Sequence, residues 1–278
     1  MNGVLIVNKP INMTSRDVVN HLNYIFHTKK IGHTGTLDPI ATGVLVVAIG
    51  SYTKLVDRLT SLDKEYIAEI KLGIKTDTGD ITGKVVEEDY NYNLSSEDIL
   101  NVFKYFEKEY EQTVPKYSAV KINGKKLYEY ARENIEVSLP KRKVSIYSLE
   151  LLEFNSGIIK FKTKVSKGTY IRSLIEDICY RLNVLGTMNS LIRTKQGEFA
   201  LENSINLDEV TYDTKLLTTS EVLNVKKLLI SKEEKKLVIN GNKLNKELTD
   251  GYYDVYVKDN KLALYEFKYN EGRIIMFY

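Results

Sequence analysis

The stretch Gly32-His33-Thr34-Gly35-Thr36-Leu37-Asp38-Pro39-Ile40-Ala41-Thr42-Gly43-Val44-Leu45 holds a single carboxylate, Asp38, in a run of glycine, threonine and proline that leads into an apolar segment. Gly32, Gly35 and Gly43 allow positive φ and close backbone approach, while Pro39 fixes its own φ and biases Asp38 towards extended backbone. Thr34, Thr36 and Thr42 can hydrogen-bond the nearby backbone or the acid, and the apolar run from Val44 to Ile49 anchors the loop to a core. A lone Asp-Pro turn reads as structural. This one is longer and more constrained, which poises the acid for chemistry.

Working outward, Thr14 or Ser15 can cap a helix whose Val18, Leu22, Ile25 and Phe26 share a face, with Lys29-Lys30 at its end. Residues 44–49 and 66–72 read as strands, the second alternating Tyr66, Ala68, Ile70 and Leu72 with Glu69 and Lys71. Residues 95–110 return to helical spacing, with Ser96 as cap and Ile99, Val102, Phe103 and Phe106 as a core-facing stripe. Residues 143–154 and 158–165 read as strands joined by a turn at Asn155-Ser156-Gly157, so the sheet is largely antiparallel. Lys160, Lys162 and Lys164 alternate on one face of the second strand, read as a solvent-facing side in preference to an RNA contact. Asn206-Leu207-Asp208-Glu209 can start a short helix. Short strands follow at 252–257, 262–267 and 274–278, with turn signals at Asp250-Gly251 and Glu271-Gly272.

The fold class is therefore α+β. At 278 residues and 43% hydrophobic content, the chain suits one large domain and a small one. Its one cysteine, Cys179, shares a helical face with Ile175 and Leu182 and reads as a buried small hydrophobe, which excludes a disulfide framework. Neither a secretory leader nor a membrane-length apolar run is present, so the cytoplasm is the expected compartment. The net charge of +3 is modest, but from Val225 onward 11 Lys and Arg face 8 Asp and Glu, which leaves the preceding part neutral. Residues 114–143 carry eight basic side chains against Glu129, Glu133 and Glu136, interleaved with Tyr117, Tyr128 and Tyr130. Such a segment suits either a solvated face or a phosphate-gripping arm.

The Asp38 stretch resembles the signature of the TruB-type tRNA pseudouridine synthases, in which the aspartate is the catalytic nucleophile. The likeness continues in Gly3 to Pro10 with Thr14-Ser15, in Lys64-Glu65-Tyr66, in Thr76 to Asp80, in Pro115 to Ala131 and in Gly168 to Ser173, covering about residues 3 to 200. It implies a pseudouridine synthase fold: a mixed, largely antiparallel central sheet flanked by helices, with a small C-terminal PUA-like β domain. The expected division is a catalytic domain over 1–222, including the basic 114–143 segment, and an RNA-binding module over 223–278.

Pseudouridylation detaches uracil from its glycosidic nitrogen, turns it while bound, and rejoins it to the same ribose through carbon. A carboxylate can assist by attacking the base or the sugar at C1′, and either route needs Asp38 ionised and opposed by a cation or several donors. The resemblance assigns that cation to Arg172 and base stacking with help in proton movement to Tyr66. One tyrosine among 20 would otherwise be read as core. It also gives Tyr170 and Leu191 as pocket walls, His33 as the group that enters the RNA loop, and Lys9 and Lys54 as basic positions in phosphate contact or support. The three histidines His21, His27 and His33 make no metal-ligand spacing, so neither metal nor cofactor is expected. Three departures stand out: Asn12 where glycine is usual after Lys-Pro, Ile192 where a second arginine is common, and a loose match over 185–190.

The implied activity is isomerisation of uridine 55 in the tRNA T-loop, by base flipping, in an enzyme that works as a monomer without an obligatory protein partner. A pseudouridine synthase with another RNA target and a tRNA-folding chaperone using the same grip are the alternatives.

Overall fold

In the computed structural model, which describes residues 1–278, the chain opens with β1 (Gly3–Lys9), α1 (Ser15–Ile25), β2 (Ile31–His33), β3 (Thr42–Ile49), α2 (Val56–Thr60) and β4 (Lys64–Leu72). Then come β5 (Ile74–Thr76), β6 (Val85–Glu88), α3 (Ser96–Phe106), β7 (Glu109–Thr113), β8 (Lys121–Ile122), β9 (Lys125–Lys126) and α4 (Leu127–Arg132). The long hairpin β10 (Lys141–Asn155) and β11 (Ile158–Val165) precedes α5 (Ile171–Leu182), β12 (Gly186–Gln196), β13 (Phe199–Ala200) and β14 (Ile205–Asn206). The tail comprises α6 (Thr219–Val222), β15 (Val225–Leu229), α7 (Lys232–Ile239), β16 (Leu244–Asn245), β17 (Gly251–Val257), β18 (Asn260–Lys268) and β19 (Glu271–Phe277).

A 10-stranded sheet runs β14-β1-β3-β12-β4-β11-β10-β7, with β2 beside β3 and β13 beside β12. Only the β1·β14 and β3·β12 pairings in it are parallel, so the sheet is mixed and largely antiparallel. Its two halves bury differently. Leu45, Val47 and Ile49 of β3 pack with Leu5 and Val7 against α1, while Val44, Val46 and Ala48 face Tyr52, Leu55 and Leu59 on the other side. A strand covered on both faces needs no polar alternation, which is why residues 44–49 read as a continuous apolar run. β4 alternates instead. Its Tyr66, Ala68, Ile70 and Leu72 face α3 and α5 in one large cluster, and Glu65 and Glu69 on the opposite face pair with Lys162 and Lys160 of β11. Lys160 and Lys162 thus form a half-exposed ion-pair face and Lys164 is exposed, in line with the solvent-facing side expected from sequence.

Local chemistry accounts for the element ends that differ from the sequence expectation. α1 stops at Ile25 rather than at Lys29-Lys30, because Phe26 is buried and His27 takes a left-handed φ of 49°. His27 is therefore outside the helix. Ser95, not Ser96, caps α3: its Oγ accepts from the Asp98 N–H while the Asp98 carboxylate accepts from the Ser95 N–H, a reciprocal box that Ser96, three residues before Ile99, cannot make. The helix ends at Phe106 and residues 109–113 become the edge strand β7. The turn expected at Glu271-Gly272 falls at Tyr269 and Asn270, with φ of 51° and 63°, a two-residue left-handed geometry suited to a hairpin. Gly272 lies within β19, where a Cβ would sit 2.4 Å from the Phe267 ring.

The tail forms a 5-stranded sheet, β15-β17-β18-β19-β16, with its own core around Val255, Tyr265, Phe267 and Val238. Leu264 and Met276 leave that core and enter the cluster of Val4, Val46, Tyr52 and Leu55. Polar ties reinforce the junction: Arg58 pairs with Glu266 at 2.8 Å, and the Thr219 N–H donates to the Tyr52 hydroxyl at 3.0 Å, while within the tail buried Asp254 accepts from Lys261 at 2.8 Å and from Thr219 and Tyr278. No helix is long and apolar enough to cross a membrane.

Because Leu264 is fully buried between the two sheets, Leu264→Ala is expected to destabilise the protein by about 2–5 kcal/mol. Urea unfolding followed by circular dichroism and by tyrosine fluorescence should give coincident transitions. A loss below about 1 kcal/mol, or separate melting of the tail, would show that the junction is not a shared core.

Candidate active site

β3 and β12 touch through only two register pairs, Thr42 with Ile192 and Gly43 with Arg193. Gly43 has φ of 99°, and a Cβ there would lie 2.3 Å from the Arg193 carbonyl oxygen, so only glycine permits this approach. Arg193 pairs in turn with Tyr66 of β4, and Leu191 with Ala68. The seam thereby brings the end of the Asp38 loop, Tyr66 and Leu191 into neighbouring strands. Tyr66 and Leu191, both buried, belong to one apolar cluster with Leu37 and Ala41, which flank Asp38.

The loop is held largely through its backbone. Ser15 Oγ accepts from the Leu37 N–H at 2.9 Å, and the Ala41 N–H donates to the Asp38 carbonyl at 3.0 Å. Gln196 donates to the Thr34 hydroxyl at 2.6 Å, and Arg193 to the carbonyls of Val44 at 2.6 Å and Gly35 at 3.1 Å. Asn12, at φ of 66°, donates its N–H to the Pro39 carbonyl at 2.8 Å, so the asparagine adopts the conformation that glycine would supply. Gly35 uses positive φ as well. Gly32 does not, since it is an ordinary strand residue of β2 packed near Val56.

Arg172 lies in the first turn of α5 and reaches Asp38 with two nitrogens, Nε to Oδ2 at 2.9 Å and an Nη to Oδ1 at 3.1 Å. Its remaining bonds go to the carbonyls of Thr78 at 3.0 Å and Tyr117 at 2.9 Å. The guanidinium side chain is 7% exposed and that of Asp38 31%, so the cation is sunk while the acid keeps an open side. A planar fork of donors matches a carboxylate in this way and a lysine would not.

The other residues expected at the site are distributed unevenly. Tyr170 is half-buried at the N-cap of α5, two residues before Arg172. His33 precedes the loop on β2, accepts at Nδ1 from the Gly35 N–H at 3.4 Å, and is held below the usual imidazole range by burial and by Arg16 and Arg193. It is therefore neutral at pH 7. Lys54 is exposed in a short 3-10 turn, Gly50–Leu55. Lys9 is wholly buried, and its ammonium donates to the carbonyls of Met13 at 2.6 Å, Pro10 at 2.8 Å and Pro39 at 3.3 Å. Of the two roles open to it from sequence, these contacts are those of support.

Thr78 and Tyr117 were legible only as members of quoted motifs, because what they give Arg172 is a main-chain carbonyl, which no side-chain type reports. Gln112 and Gln196 gave no separate signal, and Ser15, read as a possible helix cap, instead accepts from Leu37 while Thr14 caps α1. Cys179 is buried with its thiol pushed up to about 12, as an inert core residue should be. No group of three or more His, Cys, Asp or Glu side chains converges into a metal-ligand set. The 114–143 segment projects as the β8–β9 hairpin and α4, with Lys116, Lys121, Arg132, Lys141, Arg142 and Lys143 exposed.

Residues 23–171 match the family model described as TruB family pseudouridylate synthase, N-terminal domain. The chain belongs to the TruB family. Among TruB relatives, the tRNA pseudouridine synthase B of Caldicellulosiruptor saccharolyticus is 41% identical over 93% of this chain and 92% of its own length. That of Clostridium tetani is 49% identical over 76% and 73%. A crystal structure of a Cbf5-Nop10-Gar1 complex superposes with a TM-score of 0.70 at 25% identity, covering 99% of this chain and 85% of that one. An H/ACA RNP bound to a substrate RNA containing 2′-deoxyuridine shares the fold at a TM-score of 0.68 and 24% identity. The likeness to these two structures thus extends over both the ten-stranded sheet and the tail.

Burial draws the Lys9 ammonium down from 10.5 to about 8, against the opposing pull of Asp38. Between those values the unfolded chain binds the proton and the folded chain does not, so stability from this group rises with pH across that window. Lys9→Met should cost about 1–3 kcal/mol at pH 7 through its orphaned carbonyls. The gap to wild type should widen as pH is raised from 8 to 10. Urea titrations of both proteins across that range would reject the assignment if the gap stays constant or narrows.

Proposed function

We propose that this enzyme, a pseudouridine synthase by family, isomerises uridine 55 in the T-loop of tRNA, with Asp38 as nucleophile and neither cofactor nor metal. The observation that carries the reading is the two-point Arg172 contact to a carboxylate that stays open on one side. The names of the relatives supply the substrate, tRNA. The reaction balances without a co-reactant: the C1′–N1 bond breaks, a C1′–C5 bond forms, the proton on C5 leaves, and N1 gains one.

In this reading Arg172 keeps Asp38 ionised and aimed, Tyr66 stacks on the extruded uracil, and Leu191 and Tyr170 wall the pocket. Neutral His33 fills the place left in the loop by the flipped base. Exposed Lys54 and the basic 114–143 segment grip phosphates. Residues 1–222 act as the catalytic domain and 223–278 as a PUA-like RNA-binding module carrying the excess positive charge, in a monomer working in the cytoplasm.

The test is to incubate purified protein with unmodified tRNA and map pseudouridine. Product at position 55 is expected, unchanged by chelator, and Asp38→Asn should bind tRNA yet form none. An isolated T stem-loop should be converted, while a linear RNA of the same loop sequence should be poor. Product at other RNA sites, or equal turnover of stem-loop and linear RNA, would overturn the T-arm assignment. Turnover by a clean Asp38→Asn preparation would overturn the nucleophile.

A further inference from the structure

The helix that carries Arg172 begins without a side-chain cap, since its N-cap residue is Tyr170. What holds that start is Gln112, a residue 1% exposed on the edge strand β7. Its Oε1 accepts from the Tyr170 N–H at 2.8 Å, and its Nε2 donates to the Tyr170 carbonyl at 3.1 Å. One amide therefore reads both main-chain groups of one residue, as a neighbouring strand would. Nε2 also donates to the Tyr110 hydroxyl at 2.9 Å, which in turn donates to Asp177 Oδ2 at 3.0 Å. Asp177 is on α5 itself, so the chain of bonds leaves β7 and closes on the same helix at a second point. Burial beside Asp177 raises the Tyr110 hydroxyl, which stays a donor. A third tie, Ser173 Oγ to the Thr113 carbonyl at 2.8 Å, joins the same two elements.

These ties converge on the reacting pair from two directions. Arg172 follows Tyr170 by two residues, and the Tyr117 carbonyl that accepts from Arg172 follows Gln112 by five. β7 thus fixes both the root of the arginine and one of the oxygens that orient its tip. No bond of Gln112 reaches Asp38, so it does not touch the chemistry directly.

We infer that Gln112 is a positioning residue of the reaction, clamping the main chain of Tyr170 so that the Arg172 guanidinium meets both oxygens of Asp38. The inference rests on the proposed pseudouridine synthesis at this site. Displacing a reacting group by about 1 Å costs about 100-fold in rate, so Gln112→Ala should lower the single-turnover rate at saturating enzyme by up to about 100-fold, with RNA affinity little changed.

The test compares wild type, Gln112→Ala and Gln112→Glu on unmodified tRNA across pH, with circular dichroism confirming that each is folded. A protonated carboxyl at 112 can donate to the Tyr170 carbonyl and accept from its N–H, whereas an ionised one sets an acceptor against that carbonyl. The groups facing it are Tyr110 on β7, Asp177 on α5, Tyr170 and, across β10, Arg142. The rate of Gln112→Glu relative to wild type should therefore be highest at low pH and fall as pH rises, while the ratio for Gln112→Ala stays flat. In an Arg172→Lys background Gln112→Ala should add little further loss, because the two act through one contact. A folded Gln112→Ala with the wild-type single-turnover rate, a pH-independent ratio for Gln112→Glu, or full additivity with Arg172→Lys would each overturn the clamp. Absence of product from wild type itself would instead strike the proposed function.

Discussion

A guanidinium buried to 7% exposure cannot be left with unfilled donors, and the architecture around Arg172 follows from filling them. Its partners come from three separate parts of the chain: the Asp38 carboxylate, the Thr78 carbonyl and the Tyr117 carbonyl. Each lies on a loop, and the apolar packing of Leu37 and Ala41 with Ile171 and Leu174 brings the first of them against α5. Thr78 is offered by a tight turn in which Asp80 accepts from Thr82 and Thr78, with Gly79 at φ of 74°. Tyr117 lies just past β7, where the basic segment begins. One cation thereby joins the Asp38 loop, the β5–β6 turn and the start of the basic segment.

Other buried cations near the Asp38 loop are neutralised differently. Lys9, Lys64 and Arg193 make no ion pair, and all donate to main-chain carbonyls, with Lys64 bonding those of Thr60 and Leu62 at 2.6 Å each. Burial lowers Lys64, like Lys9, to about 8. Their donors brace the loop and the turn before β4 without a second carboxylate to compete with Asp38 for Arg172.

The fold was legible where side-chain pattern and burial agree: the two-face burial of β3, the alternation of β4, and the Ser156-Gly157 hairpin with φ of 46° and 76°. Boundaries failed where one local bond decided them, as with the Ser95 cap and the left-handed His27. At the site, the Asp38 loop announced itself through its glycines and proline, and the Arg172 contact to it matches the resemblance. The supporting cast was illegible because it works through carbonyls and amides. A glutamine such as Gln112 in a strand of Glu, Tyr and Thr carries no pattern until α5 is seen beside it.

The two-point contact on Asp38 also fixes direction. Each carboxylate oxygen gives one lone pair to Arg172, which leaves the pairs that point away from the guanidinium free. With 31% of the side chain exposed, an incoming group can meet Asp38 only on the flanks that Arg172 and the Cβ leave open. The open face of the acid is thus set by an arginine, before any RNA arrives.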